Sequence, residues 1–202
     1  MTSSLGLADV RAALIETVAS PAEEVDGRAA AVAAVLHEGR AGVELLFIRR
    51  ARRRGDPWSG HMAWPGGKRE PNDGAMIECA IRETCEEVGL DLAADGELLG
   101  RLSVVRFQGT GAKGLRAIVP YVFCVARLPD LRPSAEVQET VWIPLTYFTG
   151  WATRRPWVWA ARWLPQVPPA YRYEGRLVWG LTQWMLADLI ARLAAGRKSL
   201  PE

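Results

Sequence analysis

A chain of 202 residues, 49% apolar and 24% charged, can bury a sizeable core and needs neither disulfides nor a metal merely to fold. A formal charge of +2 is too small for a dedicated nucleic-acid binder, and no segment approaches the apolar length of a membrane span.

The first predicted element is a helix over residues 7–19, with Leu7, Val10, Leu14 and Val18 along one face. Asp9 interrupts any apolar run there, so no signal peptide is expected and the protein is read as cytoplasmic. A polar connection from Ser20 to Gly27 leads to two β-type runs, 29–37 and 43–50, joined by the turn-like stretch Glu38–Gly42. Arg54–Gly60 reads as a loop and His61–Trp64 as a short strand, after which Pro65-Gly66-Gly67 is expected to break regular structure. A loop from Lys68 to Asp73 precedes a helix over about 75–88, which Gly89 stops. Strands are predicted at 97–107, 117–126 and 140–143. The Trp- and Pro-rich segment 151–173 resists assignment. A last helix spans about 179–194, with Leu181, Trp184, Met185, Asp188 and Leu189 on a mixed face. The pattern describes one domain over 1–202, a mixed sheet with helices packed on it. Cys79, Cys85 and Cys124 show no zinc spacing and are expected as small core residues of a reduced protein.

Charge is unevenly placed. Arg49, Arg50, Arg52, Arg53 and Arg54 form a basic run, and acids gather between Glu70 and Glu97. That juxtaposition suits an anionic substrate held through metal ions, although a solvated arginine-rich loop has the same composition. On the helical wheel of 75–88, Ile77, Ile81, Thr84 and Val88 share a stripe with Ala80 at its edge. Glu83, Glu86 and Glu87 fall on another arc, since spacings of three and four bring side chains together. Three like charges repel, and a hard divalent cation with oxygen ligands resolves the repulsion. Read alone, the same arc is also a solvated acidic face. Its neighbours add weight: the Pro65-Gly66-Gly67 backbone can approach a metal or phosphate closely, and Arg82 can hold a carboxylate by a bidentate contact.

Gly66-Gly67, followed by Arg82-Glu83, Glu86-Glu87 and Gly89-Leu90, resembles the Nudix box. Two positions depart from that pattern. Asp73 replaces the early glutamate and is separated from Arg82 by eight residues rather than seven, and Thr84 replaces the usual apolar residue. The resemblance implies an α/β/α sandwich with a mixed sheet and a catalytic loop-helix-loop. It implies Mg²⁺ or Mn²⁺ on Glu83, Glu86 and Glu87 with the Gly66 carbonyl, and Arg82 orienting a glutamate. Arg49, Arg54, Gly67 and Lys68 become candidate substrate contacts. Glu136 and Glu139 become candidates for an additional acid, while Asp73 is expected to cap or pin its loop.

Within the family the chain resembles the coenzyme A diphosphatase branch. Leu45-Leu46-Phe47-Ile48-Arg49, the run Gly60–Gly67, the extra residue after Asp73 and Trp179-Gly180-Leu181-Thr182 carry that likeness. The loop containing Asp56-Pro57-Trp58-Ser59 is about two residues longer than that branch's, and Trp64 stands where phenylalanine is usual. The implied activity is metal-dependent hydrolysis of coenzyme A or acyl-coenzyme A to 3′,5′-ADP and a phosphopantetheine. Hydrolysis of ADP-ribose, a sugar nucleotide or a dinucleoside polyphosphate is the alternative, and a non-catalytic nucleotide sensor is the alternative of another class. The expected partner is a small nucleotide, with no nucleic acid and no membrane; a homodimer is compatible. The nine tryptophans either stack a base or fill a core or interface, and His61 is a substrate contact at most.

Overall fold

The computed structural model describes residues 5–18, 25, 29–39, 42–55, 58–108, 115–149, 154–155 and 170–199. Helix α1 (Leu7–Val18) precedes β1 (Ala29–Gly39), β2 (Gly42–Arg50), β3 (Met62–Ala63) and β4 (Gly66–Lys68). Helix α2 (Met76–Val88) and the short α3 (Leu92–Asp95) are followed by β5 (Gly96–Arg101), β6 (Val105–Gln108), β7 (Leu115–Val125) and β8 (Val137–Pro144). Then come α4 (Leu145–Thr149), β9 (Arg154–Arg155), β10 (Ala170–Tyr173), β11 (Arg176–Val178) and α5 (Gly180–Ser199).

The main sheet runs β3-β2-β1-β7-β5, with β4 also on β1, β6 on β7 and β8 on β2; β9, β10 and β11 form a second small sheet. The β1–β7 pair is parallel and every other pair antiparallel, so the sheet is mixed. Strand β1 is apolar nearly throughout because both its faces are covered. Its two-residue period sends Ala31, Ala33 and Val35 to one core with Cys79, Ala80 and Val88 of α2. Val32, Ala34 and Leu36 face the other core, with Val10 and Leu14 of α1, Phe148 of α4, and Leu186 and Leu189 of α5. Helices on both sides of a mixed sheet give the expected α/β/α sandwich. Among the described residues, no helix is long and apolar enough to cross a membrane.

Several local expectations change. The predicted strand 97–107 is two strands, interrupted at 102–104. Pro120 on the facing β7 has no N–H to offer the ladder; Leu102 still donates to its carbonyl (2.9 Å), but the Ser103 N–H turns to the Asp188 carboxylate (2.8 Å). Gly66 and Gly67 do not break the sheet; they pair with Val32 and Ala31 as β4. On α5, Trp184 is exposed and Leu186, Ile190 and Leu193 join Met185 and Leu189 in the core, so the buried face is rotated from the predicted one. Cys79 and Cys124 are buried, whereas Cys85 is exposed, and all three are free thiols. The side chain of Val18 and the tryptophans 151, 157, 159 and 163 lie outside the described residues.

Candidate functional site

Helix α2 forms where its apolar period predicts, but Cys79 and Met76 join Ala80, Thr84 and Val88 on the buried side, and Ile77 and Ile81 are only partly covered. The helix ends on Gly89, whose φ of 71° admits the left-handed stop and whose N–H donates to the Cys85 carbonyl at 2.9 Å. The Arg132 and Ser134 N–H groups cap the Val88 and Glu87 carbonyls, each at 2.8 Å. This ties the segment leading to Glu136 onto the end of α2.

The three glutamates do not share one environment. Glu87 is buried at 4% exposure, and its Oε2 accepts the Gly66 N–H at 2.9 Å. Burial raises its pKa to about 7, with the Gly66 hydrogen bond opposing the shift. The Glu83 side chain is 18% exposed, and burial pushes its pKa upward against the pull of Arg82. The Glu86 side chain, at 58% exposure, points outward and meets Arg82 Nη1 through Oε2 at 3.2 Å.

Arg82 joins helix and loop. Its Nε and Nη2 grip Asp73 Oδ1 and Oδ2 at 3.0 and 2.9 Å, Nη2 also donates to the Lys68 carbonyl, and Nη1 reaches Glu83 Oε1 at 3.1 Å. The shifted acid thus lies side-on against Arg82, and it also accepts the Glu70 N–H at 2.7 Å, pinning the loop between β4 and α2. The Arg82 contact holds the Asp73 carboxyl at about 2, against an ordinary value of 3.8. A carboxyl with a lowered folded-state pKa contributes its full stability above pH 4 and loses it as pH falls toward 2. Asp73→Asn is expected to cost about 2 kcal/mol at neutral pH. In urea titrations at a series of pH values, its deficit to wild type should close between pH 4 and 2.

Two glycines set how closely β4 approaches β1 and the Glu83 carboxylate. A Cβ on Gly67 would stand 2.4 Å from the Glu83 carboxylate, and one on Gly66 (φ 149°) 2.3 Å from the Ala31 carbonyl oxygen. Cys79 sits beneath, its thiol directed at the Gly67 carbonyl (3.5 Å), with burial raising its pKa to about 11.

A cleft of about 1000 Å³ opens over these residues. Gly66, Gly67, Lys68, Glu83, Glu87 and Glu136 line it, so most of the predicted set is brought together. Arg82 and Glu86 do not line the cleft, and neither do Arg49, Arg54 and Glu139. Arg49 lies between the Gly60 carbonyl and Glu139, and Glu139 is bound more tightly by Arg176 at 2.9 Å, which lowers its pKa. Arg54 is an exposed turn residue. Glu136 pairs with Arg53 at 3.1 Å. The walls include Trp58, Phe107, Arg116 and Trp179, together with His61 and Arg50. These come from loops and strands far apart in the chain, and no local spacing marks them as a group.

The donor set suits a hard divalent cation: two half-buried or buried carboxylates beside a strand of glycines, with burial disfavouring their charge until a cation compensates. Among the described residues, no three His, Cys, Asp or Glu side chains are gathered into a ready cage, consistent with Arg82 holding Glu86 to one side.

Comparison with known proteins adds to this geometry. A family model described as NUDIX domain matches residues 27–166. An uncharacterized protein of Schizosaccharomyces pombe is 40% identical over 104 residues, 50% of this chain and 32% of the relative. The peroxisomal coenzyme A diphosphatase ndx-8 of Caenorhabditis elegans is 36% identical over 106 residues, 52% of this chain and 42% of the relative. The chain therefore spans less than half the length of either curated relative. A crystal structure of a MutT protein from Methanosarcina mazei shares the fold, with a TM-score of 0.53 at 20% identity, covering 88% of this chain and 100% of that one.

Proposed function

This chain belongs to the Nudix family, and on that footing we propose that it is a pyrophosphohydrolase acting on a nucleoside diphosphate derivative, with coenzyme A or acyl-coenzyme A as its substrate. The reading takes residues 1–202 as one catalytic unit. The observation that carries it is the pairing of Glu83 and buried Glu87 against the Gly66-Gly67 strand at one end of an open cleft. The upstream run Gly60–Gly67 and the likeness to ndx-8 support coenzyme A over other diphosphates.

In this reading Glu83 and Glu87, with Glu86 and the Gly66 carbonyl, would hold Mg²⁺ or Mn²⁺. The ion supplies charge neutralisation at the phosphate oxygens and acidifies the attacking water. Arg82, fixed by Asp73, positions Glu83 and Glu86. Water oxygen attacks one phosphorus, the bridging P–O bond breaks, and its electron pair leaves with the second phosphate. A cleft carboxylate takes the water proton. Of the two acids outside the helix, Glu136 is assigned to the cleft, and Glu139 to holding Arg49 and Arg176. Lys68 and Gly67 lie where phosphate oxygens pass.

The test is an activity panel with Mg²⁺ and Mn²⁺, comparing coenzyme A, acyl-coenzyme A, ADP-ribose, NADH, a sugar nucleotide and a dinucleoside polyphosphate. Coenzyme A should be cleaved at least about tenfold more efficiently than the others, with 3′,5′-ADP released; this corresponds to roughly 1.4 kcal/mol of discrimination. Cleavage of ADP-ribose but not coenzyme A would reject the substrate. Binding of nucleotides with no cleavage of any would replace the enzyme by a sensor.

A further inference from the structure

His61 and Trp179 both line the cleft, and their rings stand 4.5 Å apart. They come from distant parts of the chain, and neither residue belongs to a helix or strand. His61 follows the turn at Gly60, whose φ is 72°, and precedes β3. Trp179 lies between the end of β11 and the start of α5. The Thr182 hydroxyl donates to the Met62 carbonyl at 3.2 Å, which ties the start of α5 to β3.

A second tie joins the same two segments through one carboxylate. Glu139 of β8 stands opposite Arg49 of β2. Its Oε1 accepts from Arg49 Nη1 at 3.4 Å, and its Oε2 accepts from Arg176 Nη2 at 2.9 Å. Arg49 carries the tie onward, since its Nε donates to the carbonyl of Gly60, the residue before His61. Arg176 opens β11, three residues before Trp179, and its Nη1 reaches the Glu174 carboxylate at 3.1 Å. The three side chains of this chain of contacts are 22–31% exposed, so water and salt screen them less than a surface pair. None of the three lines the cleft. A carboxylate with both oxygens engaged by guanidinium groups, which also lower its pKa, is a poor acceptor for a proton from water.

We propose that Glu139 is a positioning residue: through Arg49 and Arg176 it sets the placement of His61 against Trp179, and thereby how tightly the cleft holds its substrate, without touching the substrate itself. Arg49 and Glu139 then serve as a strut, and neither as a phosphate contact nor as a general base. Arg suits that role because its planar fork directs separate N–H groups at Gly60 and at Glu139. The effect on turnover rests on the hydrolase reading above; the effect on the two rings does not.

The chain has two histidines, so proton NMR reads the strut directly. The His61 ring protons feel the ring current of Trp179. His37 lies edge-on to Trp142 of β8, the strand of Glu139, at 6.1 Å, and reports whether β8 itself is disturbed. Spectra of His37→Gln and His61→Gln assign the signals, and a pH titration separates protonation from stacking. Glu139→Gln should shift the His61 signals and leave those of His37 in place. Arg49→Met should repeat the His61 shift, and the double variant should add less than the sum of the two. With coenzyme A, Glu139→Gln should raise KM about 10-fold, the size of one charged hydrogen bond, and leave kcat within about twofold. Arg176→Lys keeps the charge but loses the fork, and gives a milder reading of the same shift if Glu139→Gln fails to fold. An unmoved His61 signal, a His37 shift of equal size, or a fall in kcat at unchanged KM would overturn the proposal. In a protein that leaves coenzyme A intact, the His61 shift would reject the substrate and keep the strut. In one that cleaves coenzyme A, an unmoved His61 signal would do the reverse.

Discussion

Glu87→Gln is expected to lower kcat by about a thousandfold, the middle of the range for losing a carboxylate from acid-base or metal-assisted chemistry. The substitution keeps the shape of the side chain and leaves an oxygen to accept the Gly66 N–H, so the fold should persist. Stability should move the other way in metal-free protein. Burial raises the Glu87 pKa from 4.5 to about 7, so the folded chain binds a proton that the unfolded chain has released. Between those values wild-type stability therefore falls as pH rises, and above about 7 the loss is complete. Glutamine carries no such charge. At pH 8, with a chelator present, Glu87→Gln should exceed wild type by something on the order of 2 kcal/mol, and the difference should vanish near pH 4. Urea unfolding at pH 4 and pH 8, with steady-state rates on the same samples, measures both effects. Wild-type activity in Glu87→Gln would remove Glu87 from the chemistry, and lower stability at pH 8 would remove the account of its burial.

The second large effect is a contrast between adjacent glycines. At Gly66 the added Cβ meets backbone: the Ala31 carbonyl oxygen at 2.3 Å and the Val32 Cα at 2.5 Å. The φ of 149° is also one that side-chain-bearing residues rarely adopt. Strand β4 would have to separate from β1, at a cost of about 3 kcal/mol or more. At Gly67 the atoms nearest the Cβ are those of the Glu83 carboxylate, within 2.5 Å, at the end of a side chain that can swing away. Gly67→Ala should therefore keep most of its stability and lose about a hundredfold in kcat, as small displacements at reacting groups do. Thermal melts and kcat on the pair check this. The same loss of stability in both variants would mean that Gly67 supports the sheet rather than the seating of Glu83.

Helix α2 and its stop at Gly89 were legible because both are local: an apolar period, then a residue that tolerates positive φ. The two β-type runs that form β1 and β2, with the turn between them, were legible for the same reason. The wheel put Glu87 on one arc with Glu83 and Glu86; its burial depends on β4 and on the segment at Ser134, neither of which a wheel contains. Gly66 and Gly67 looked like a break because glycine disfavours strands. They are strand residues because only glycine lets β4 lie so close to β1 at Gly66 and to the Glu83 carboxylate of α2 at Gly67. The break at 102–104 depends on Pro120, a residue of a different strand. Asp73 appeared as a one-residue displacement, and its meaning came from the nine-residue reach to Arg82. Trp58, Phe107, Arg116 and Trp179 meet only through tertiary pairing, so no spacing in the chain announces them.

The central claim is that water cleaves a diphosphate in the cleft headed by Glu83 and Glu87. A ³¹P spectrum of coenzyme A incubated with the protein and Mg²⁺ in ¹⁸O-enriched water tests it most directly. The account predicts that the diphosphate signals vanish and two new monoester signals appear beside the original 3′-phosphate, one of the two shifted by a single ¹⁸O atom. Intact diphosphate signals would contradict it, and so would monoester products that carry no label.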